Sequence, residues 1–284
     1  MKCSRTSRRL YYYKRTIATI MIKIFALTIG GLLGGAGLLA LFTVISAECR
    51  MTRRPVRRIY EERMDQPDYC PLDRISGRFL DFLLRKEDTA FFHHNGIDWR
   101  YMRNALRMDL KKRKIALGGS TITQQLVKNL YFHFGKDLFR KLQEIYMALR
   151  VEKILTKDEI LELYINVIYY GCGNYGITDA AAYYFSEKPE ELSVNQAFML
   201  VILLSAPTAR NPLLHPDAYE RYAKMILFRW RGWDAFTEEE YKEIIACHAN
   251  GFDPKLRKSA DGEWKYGKNI YVNERFGAGE GGPH

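Results

Sequence analysis

Residues 24–47 form a run of 24 positions without a charged side chain. As a helix this stretch would reach about 36 Å, more than the roughly 30 Å hydrocarbon core of a bilayer. The apolar region of a cleaved signal peptide is shorter, about 7–15 residues, so the pattern predicts a retained transmembrane helix. Glycines four apart, Gly30 with Gly34 and Gly31 with Gly35, either let a partner helix approach or belong to a plain glycine-rich anchor. Residues 48–75 are charged, contain prolines and read as a linker. From residue 77 onward apolar positions recur at helical spacing. They predict helices over residues 77–85, 98–110, 121–130, 138–155, 157–168, 177–185, 193–204, 216–230 and 237–249. In the fourth of these, Leu142, Ile145, Tyr146 and Leu149 share one face. Thr121 with Gln124, and Thr156 with Glu159, have the spacing of capping boxes. Lys111–Lys114 is a charged break and residues 277–282 a glycine-rich, frayed end. No alternating β-branched run is long enough to seed a sheet, and there are no internal repeats, so the expected fold is all-α.

Charge changes the picture by where it sits. The chain carries 44 Lys and Arg against 33 Asp and Glu, a net +11. Residues 1–58 hold 12 basic residues and one acid, Glu48, so residues 59–284 are balanced. A neutral body argues against nucleic-acid binding. Seven basic residues precede the apolar span and five, from Arg50 to Arg58, follow it closely. That bias places the N-terminus inside and the body outside, and the second cluster also suits anionic headgroups. The five cysteines include no Cys-x-x-Cys, which argues against a zinc site or a disulfide framework and leaves room for one bridge.

Three clusters place polar side chains where a plain helix has no use for them. Glu87 and Asp88 stand beside an aromatic pair, followed by His94 and Gly96. A carboxylate against aromatic walls becomes a better proton acceptor, although a solvated acid pair at a helix end reads the same way. Gly118 to Asn129 crowds hydrogen-bonding side chains and Lys128 into the first turns of a helix, where anions bind well. Capping explains Thr121 and Gln124, but not Gln125, Lys128 and Asn129 as well. Arg140 and Glu144, four apart, share a helix face, and alone they would read as a surface ion pair.

These clusters, in this order, resemble the peptidoglycan glycosyltransferases, the transglycosylase domain of bifunctional penicillin-binding proteins and its monofunctional relatives. Glu87, Asp88, Phe91, His94 and Gly96 match E-D-x-x-F-x-x-H-x-G. Gly118, Ser120, Thr121, Thr123, Gln124 and Gln125 match G-x-S-T-x-T-Q-Q. Arg140, Lys141 and Glu144 match R-K-x-x-E. Lys157 to Asn166, the segment Gly171 to Phe185, and Ala206-Pro207 with Asn211-Pro212 complete the series. The likeness covers about residues 70–230. Departures are Asn104 where the family usually has Arg, Lys136 where an Arg is common, and Arg210 before Asn-Pro.

The resemblance implies a lysozyme-like helical glycosyltransferase domain preceded by one transmembrane helix. The layout is a basic cytoplasmic tail (1–23), the span (24–47), the linker (48–75), the catalytic domain (76–250) and a tail (251–284). It implies polymerisation of lipid II and the growing lipid-linked glycan at the membrane into β-1,4 strands, with inversion and loss of undecaprenyl pyrophosphate. The body would then lie on the outer face of the inner membrane. Glu87 is the expected base and Glu144 the second catalytic carboxylate. Ser120, Thr121, Gln124, Gln125, Lys128, Lys136 and Arg140 would hold substrate and pyrophosphate, with Asp88, Phe91 and His94 in support. No cofactor is required, while a divalent cation, Mg or Mn, has room in the chemistry. Other cell-wall synthesis proteins would meet the apolar helix. Neither S-x-x-K nor K-T-G occurs, which points to a monofunctional enzyme. A lysozyme-like hydrolase also uses a Glu in a helical cleft, but needs no cationic site for a pyrophosphate. A scaffold without activity would not need both acids.

Overall fold

The computed structural model describes residues 34–104, 119–132, 138–233 and 235–249. Residues 24–33 of the predicted span, Lys111–Lys114, Lys136 and the glycine-rich end lie outside the described residues. Helix α1 is described over residues 34–53 and α2 over Val56–Met64, with Pro55 extended between them (φ −63°, ψ 133°). The stretch Gly34–Met64 holds an apolar window long enough, by length and composition, to cross a membrane. Leu38, Leu39, Leu41 and Ile45 are exposed. The helices that follow are α3 (Gly77–Glu87), α4 (residues 99–104), α5 (Ile122–Tyr131), α6 (Leu138–Val151) and α7 (Lys157–Val167). They continue with α8 (Ile177–Phe185), α9 (Val194–Leu203), α10 (Pro216–Arg231) and α11 (Glu238–Ala249). The body is all-α, as expected.

Residues 48–75 are not a linker. Val56, Ile59 and Tyr60 of α2 are buried in the main core together with Met51, Cys70 and Ile75. Arg63 is 1% exposed, clamps Asp68 through two 2.7 Å bonds and donates to the Asn166 carbonyl. Arg57 pairs with Glu159 at the start of α7. Charge in this stretch made it read as solvated, but long basic side chains bury their stems while their heads find carboxylates.

The core forms around α9, whose residues Ala197 to Leu203 are all buried. A short helix apolar on every side belongs at the centre of a fold, and α9 packs against α3, α10 and α11. Phe82, Phe198, Trp230 and Phe236 lock these helices with ring centroids 5.3–6.0 Å apart. A second group packs α5 against α6 and α7. The buried face of α6 is Gln143, Glu144, Met147, Ala148 and Val151, not the predicted face, whose Leu142, Ile145, Tyr146 and Leu149 stay half-exposed. Paired polar groups take the inner positions there. The helix also ends at Val151, before the predicted Leu155. Among the described residues the strands are a short antiparallel hairpin, β1 (Tyr169–Gly171) and β2 (Asn174–Tyr175). Its turn uses left-handed backbone at Gly171, Cys172 and Gly173.

The C-terminal part of the apolar helix docks on α6. Phe42 stacks on Phe139 with centroids 5.3 Å apart, and the Gln143 amide donates to Ser46 Oγ. Glu48 accepts from the Tyr146 hydroxyl at 2.6 Å and pairs with Arg150 at 2.9 Å. Arg50 lies over the Phe132 ring, 5.1 Å from its centroid.

Candidate active site

Glu87 is the last residue of α3, because Asp88 leaves helical geometry at φ −163° and ψ 80°. The chain then turns through Phe91, buried at 1% exposure, and returns at Gly96. Gly96 has φ +89°, and a Cβ there would meet the Ala148 carbonyl of α6 at 2.9 Å. Only glycine permits that backbone and that approach. The loop is pinned by Asp88, which accepts a hydrogen bond from His94 Nε2 at 3.0 Å, while His94 Nδ1 accepts from the Gly96 amide at 3.1 Å. Asp88 Oδ2 also accepts the Ile122 amide, at 3.0 Å, in the first turn of α5.

Helix α5 begins at Thr121 with the predicted capping box, Thr121 and Gln124 satisfying one another's amides. The Thr121 hydroxyl also donates to the Gly96 carbonyl at 2.7 Å. The anion at this helix N-terminus is therefore Asp88 itself. Gln124, expected to line the cleft, is 2% exposed and spent on the cap. One turn on, Gln125 Nε2 donates to Glu87 Oε2 at 2.8 Å, and its carbonyl accepts from the Tyr164 hydroxyl at 3.1 Å. Burial, and then the nearby Glu87, push the Tyr164 phenol well above its ordinary pKa, so it stays a donor.

Helix α6 closes the other side. Glu144 is 3% exposed, with Arg140 at 3.0 Å from one oxygen and Lys141 at 3.1 Å from the other. Lys141 also donates to Ser120 Oγ at 2.7 Å. Lys128 connects the two sides. Solvent reaches its side chain, yet surrounding protein desolvates the ammonium and lowers its pKa. Glu144 and Glu87 oppose that shift by attraction, while Arg140 and Lys141 add to it. The base candidate, the second acid and three cations thus share one electrostatic neighbourhood. Beside Glu87 opens a groove of about 290 Å³ walled by Tyr101, Ser120, Tyr222, Arg229 and Trp233.

The structure brings together Glu87, Gln125, Lys128, Arg140, Glu144 and Ser120, with Asp88, Phe91, His94 and Thr121 behind them. Lys136 lies outside the described residues. Arg210 lies over the ring of Tyr222, a wall of this groove, at 3.7 Å. Sequence reasoning gave no role to Lys141, although its spacing of three from Glu144 signalled one, nor to Tyr164. No group of three His, Cys, Asp or Glu side chains gathers to hold a metal among the described residues, and Glu144 is taken by cations. The donor set does not make a resident metal site, and no step below uses one. Cys49, Cys70, Cys172 and Cys247 are free, and burial pushes the Cys70 thiol up to about 11.

The transglycosylase family model matches residues 53–231. A Cupriavidus necator protein named as a transglycosylase is 35% identical over 220 residues, 78% of this chain and 92% of that one. Penicillin-binding protein 1A of Aquifex aeolicus is 37% identical over 177 residues, and there the chain spans 24% of the relative's length. The biosynthetic peptidoglycan transglycosylase of Chromobacterium violaceum is 41% identical over 139 residues, 49% of this chain and 61% of that one. The chain belongs to the transglycosylase family.

Proposed function

We propose that this protein is a monofunctional, single-pass peptidoglycan glycosyltransferase that polymerises lipid II. Its N-terminus lies in the cytoplasm and its body on the outer face of the inner membrane. The observation that carries the reading is the link from the groove shared by Glu87 and Ser120, through the Ser120 hydroxyl, to Lys141 and its partner Glu144. A transfer that makes an alkoxide-like nucleophile and expels a diphosphate needs a base and a cationic site a short distance apart.

Glu87 takes the proton of the acceptor's 4-hydroxyl as that oxygen attacks the donor's anomeric carbon. The bond to pyrophosphate breaks on the opposite face, so an α-linked donor gives a β-1,4 product. Undecaprenyl pyrophosphate departs with the electron pair. Lys128, Arg140 and Lys141 meet its growing charge, and Glu144 holds the last two in place. The N-terminus of α5 does not serve the phosphate, since Asp88 already occupies it. With the apolar helix in the bilayer, enzyme and both lipid-tailed substrates search one surface.

The test is full-length protein in vesicles with labelled lipid II, followed by sizing of the products. Polymer should form, and Glu87→Gln should lower the rate by about 100- to 10,000-fold. A parallel incubation with finished cell wall decides the hydrolase reading: fragments released there, with no polymer from lipid II, would overturn the proposal.

A further inference from the structure

Lys86 is a charged side chain that the mechanism above does not use. It precedes Glu87 at the end of α3, and its side chain is only 10% exposed. A lysine this enclosed needs partners. Its ammonium donates to Glu87 Oε1 at 2.8 Å and makes a short contact with Ser205 Oγ. Ser205 Oγ lies 3.1 Å from the Tyr222 hydroxyl, and the ammonium is 5.9 Å from the centre of the Tyr222 ring. Ser205 follows α9 and Tyr222 belongs to α10, so this grip comes from the core group of helices. The grip on the other carboxylate oxygen, Gln125 to Oε2, comes from α5 and is backed by Tyr164 in α7.

Among the described residues each oxygen of Glu87 receives one donor, and the two donors belong to different helix groups. A carboxylate has about four acceptor sites, so these two bonds do not exhaust its capacity for an incoming hydroxyl. Two fixed donors also remove rotation about the terminal side-chain bond, which is otherwise broad and soft. We propose that Lys86 is a positioning residue for the transfer, holding the plane of the Glu87 carboxylate toward the acceptor from a dock formed by Ser205 and Tyr222. The inference rests on Glu87 being the base. Lys86 neither gives nor takes the proton in flight.

The experiment measures lipid II polymerisation by the full-length protein with Lys86→Met, Lys86→Arg and Glu87→Gln in parallel, with thermal melting of each. Lys86→Met should lower kcat by about ten- to a hundredfold, the scale of a misplaced catalytic group, with KM held. Lys86→Arg, which keeps the charge and can reach the same oxygen, should restore part of the rate. In a Glu87→Gln background the Lys86→Met change should cost little more, because both act through one carboxylate. An unchanged or raised kcat in Lys86→Met, or a loss confined to KM, overturns the proposal. So does a fully additive loss in the double variant, which would mean that Lys86 touches the substrate itself. Should Lys86→Met fail to fold, Ser205→Ala combined with Tyr222→Phe decides: lower kcat at unchanged KM supports the dock, and no change refutes it. Full activity of Glu87→Gln would instead sink the base assignment, a separate failure.

Discussion

Lys128 joins the two carboxylates, and its environment makes a prediction about pH. An ammonium whose pKa is lowered by desolvation loses its charge at a lower pH than an ordinary lysine. If that charge carries the leaving group, kcat/KM falls as pH rises through the lowered value. Lys128→Arg, which stays charged, should move this alkaline limb upward, measured as a pH profile. Lys128→Met should cost about 100- to 1,000-fold in rate, the usual result of removing one electrostatic donor. Its melting temperature should change little, because the side chain is exposed. At this scale some pairs were legible and others were not. Arg140 and Glu144 were readable because four residues on a helix return to one face. Lys86 and Glu87 were not, since adjacent helical residues normally diverge. Their contact is held by Ser205 and Gln125, both distant in sequence.

Helix starts were the most legible features, because capping residues act locally. Thr121, Thr156 and Ser193 each begin a helix with a complete capping box. Glu159 does two jobs there: it caps α7 by accepting the Thr156 amide, and it pairs with Arg57 of α2. The side-chain bond from Arg57 is the main cause that holds its carboxyl below the ordinary range. A carboxyl depressed in the folded state adds stability above its unfolded pKa of 4.5, and that stability is lost as pH falls through the lower folded value. Glu159→Gln keeps the capping box but loses the ion pair, and should cost about 0.2–1 kcal/mol at neutral pH. Glu159→Ala loses both and should cost about 1 kcal/mol more, measured by urea denaturation. The Gln variant should also flatten the acid limb of the stability curve. The inner face of α6 was misread for the opposite reason: Gln143 and Glu144 are buried by partners distant in sequence. The β1–β2 hairpin was missed because five residues cannot show a period of two.

For the whole molecule, the decisive feature is the join between the apolar helix and α6, the helix that carries Arg140, Lys141 and Glu144. Charge density in residues 48–75 hid it, since a basic stretch after a membrane span reads as a solvated spacer. The contacts run from Phe42 to Arg50, with partners from Phe132 to Arg150. One alanine inserted after Ser46 would turn the two halves of that seam by about 100° relative to one another. That insertion should lower stability by about 1–3 kcal/mol and reduce polymerisation, as the ring stack and the hydrogen bonds cannot both survive. The same insertion after Leu38 lies before the seam and should leave both measurements near wild type. If the apolar helix lies in lipid as proposed, this join ties α6 and its cations to it like a bracket on a wall. On that reading the groove cannot lean out to follow a lengthening product, and the product must slide past a stationary tool.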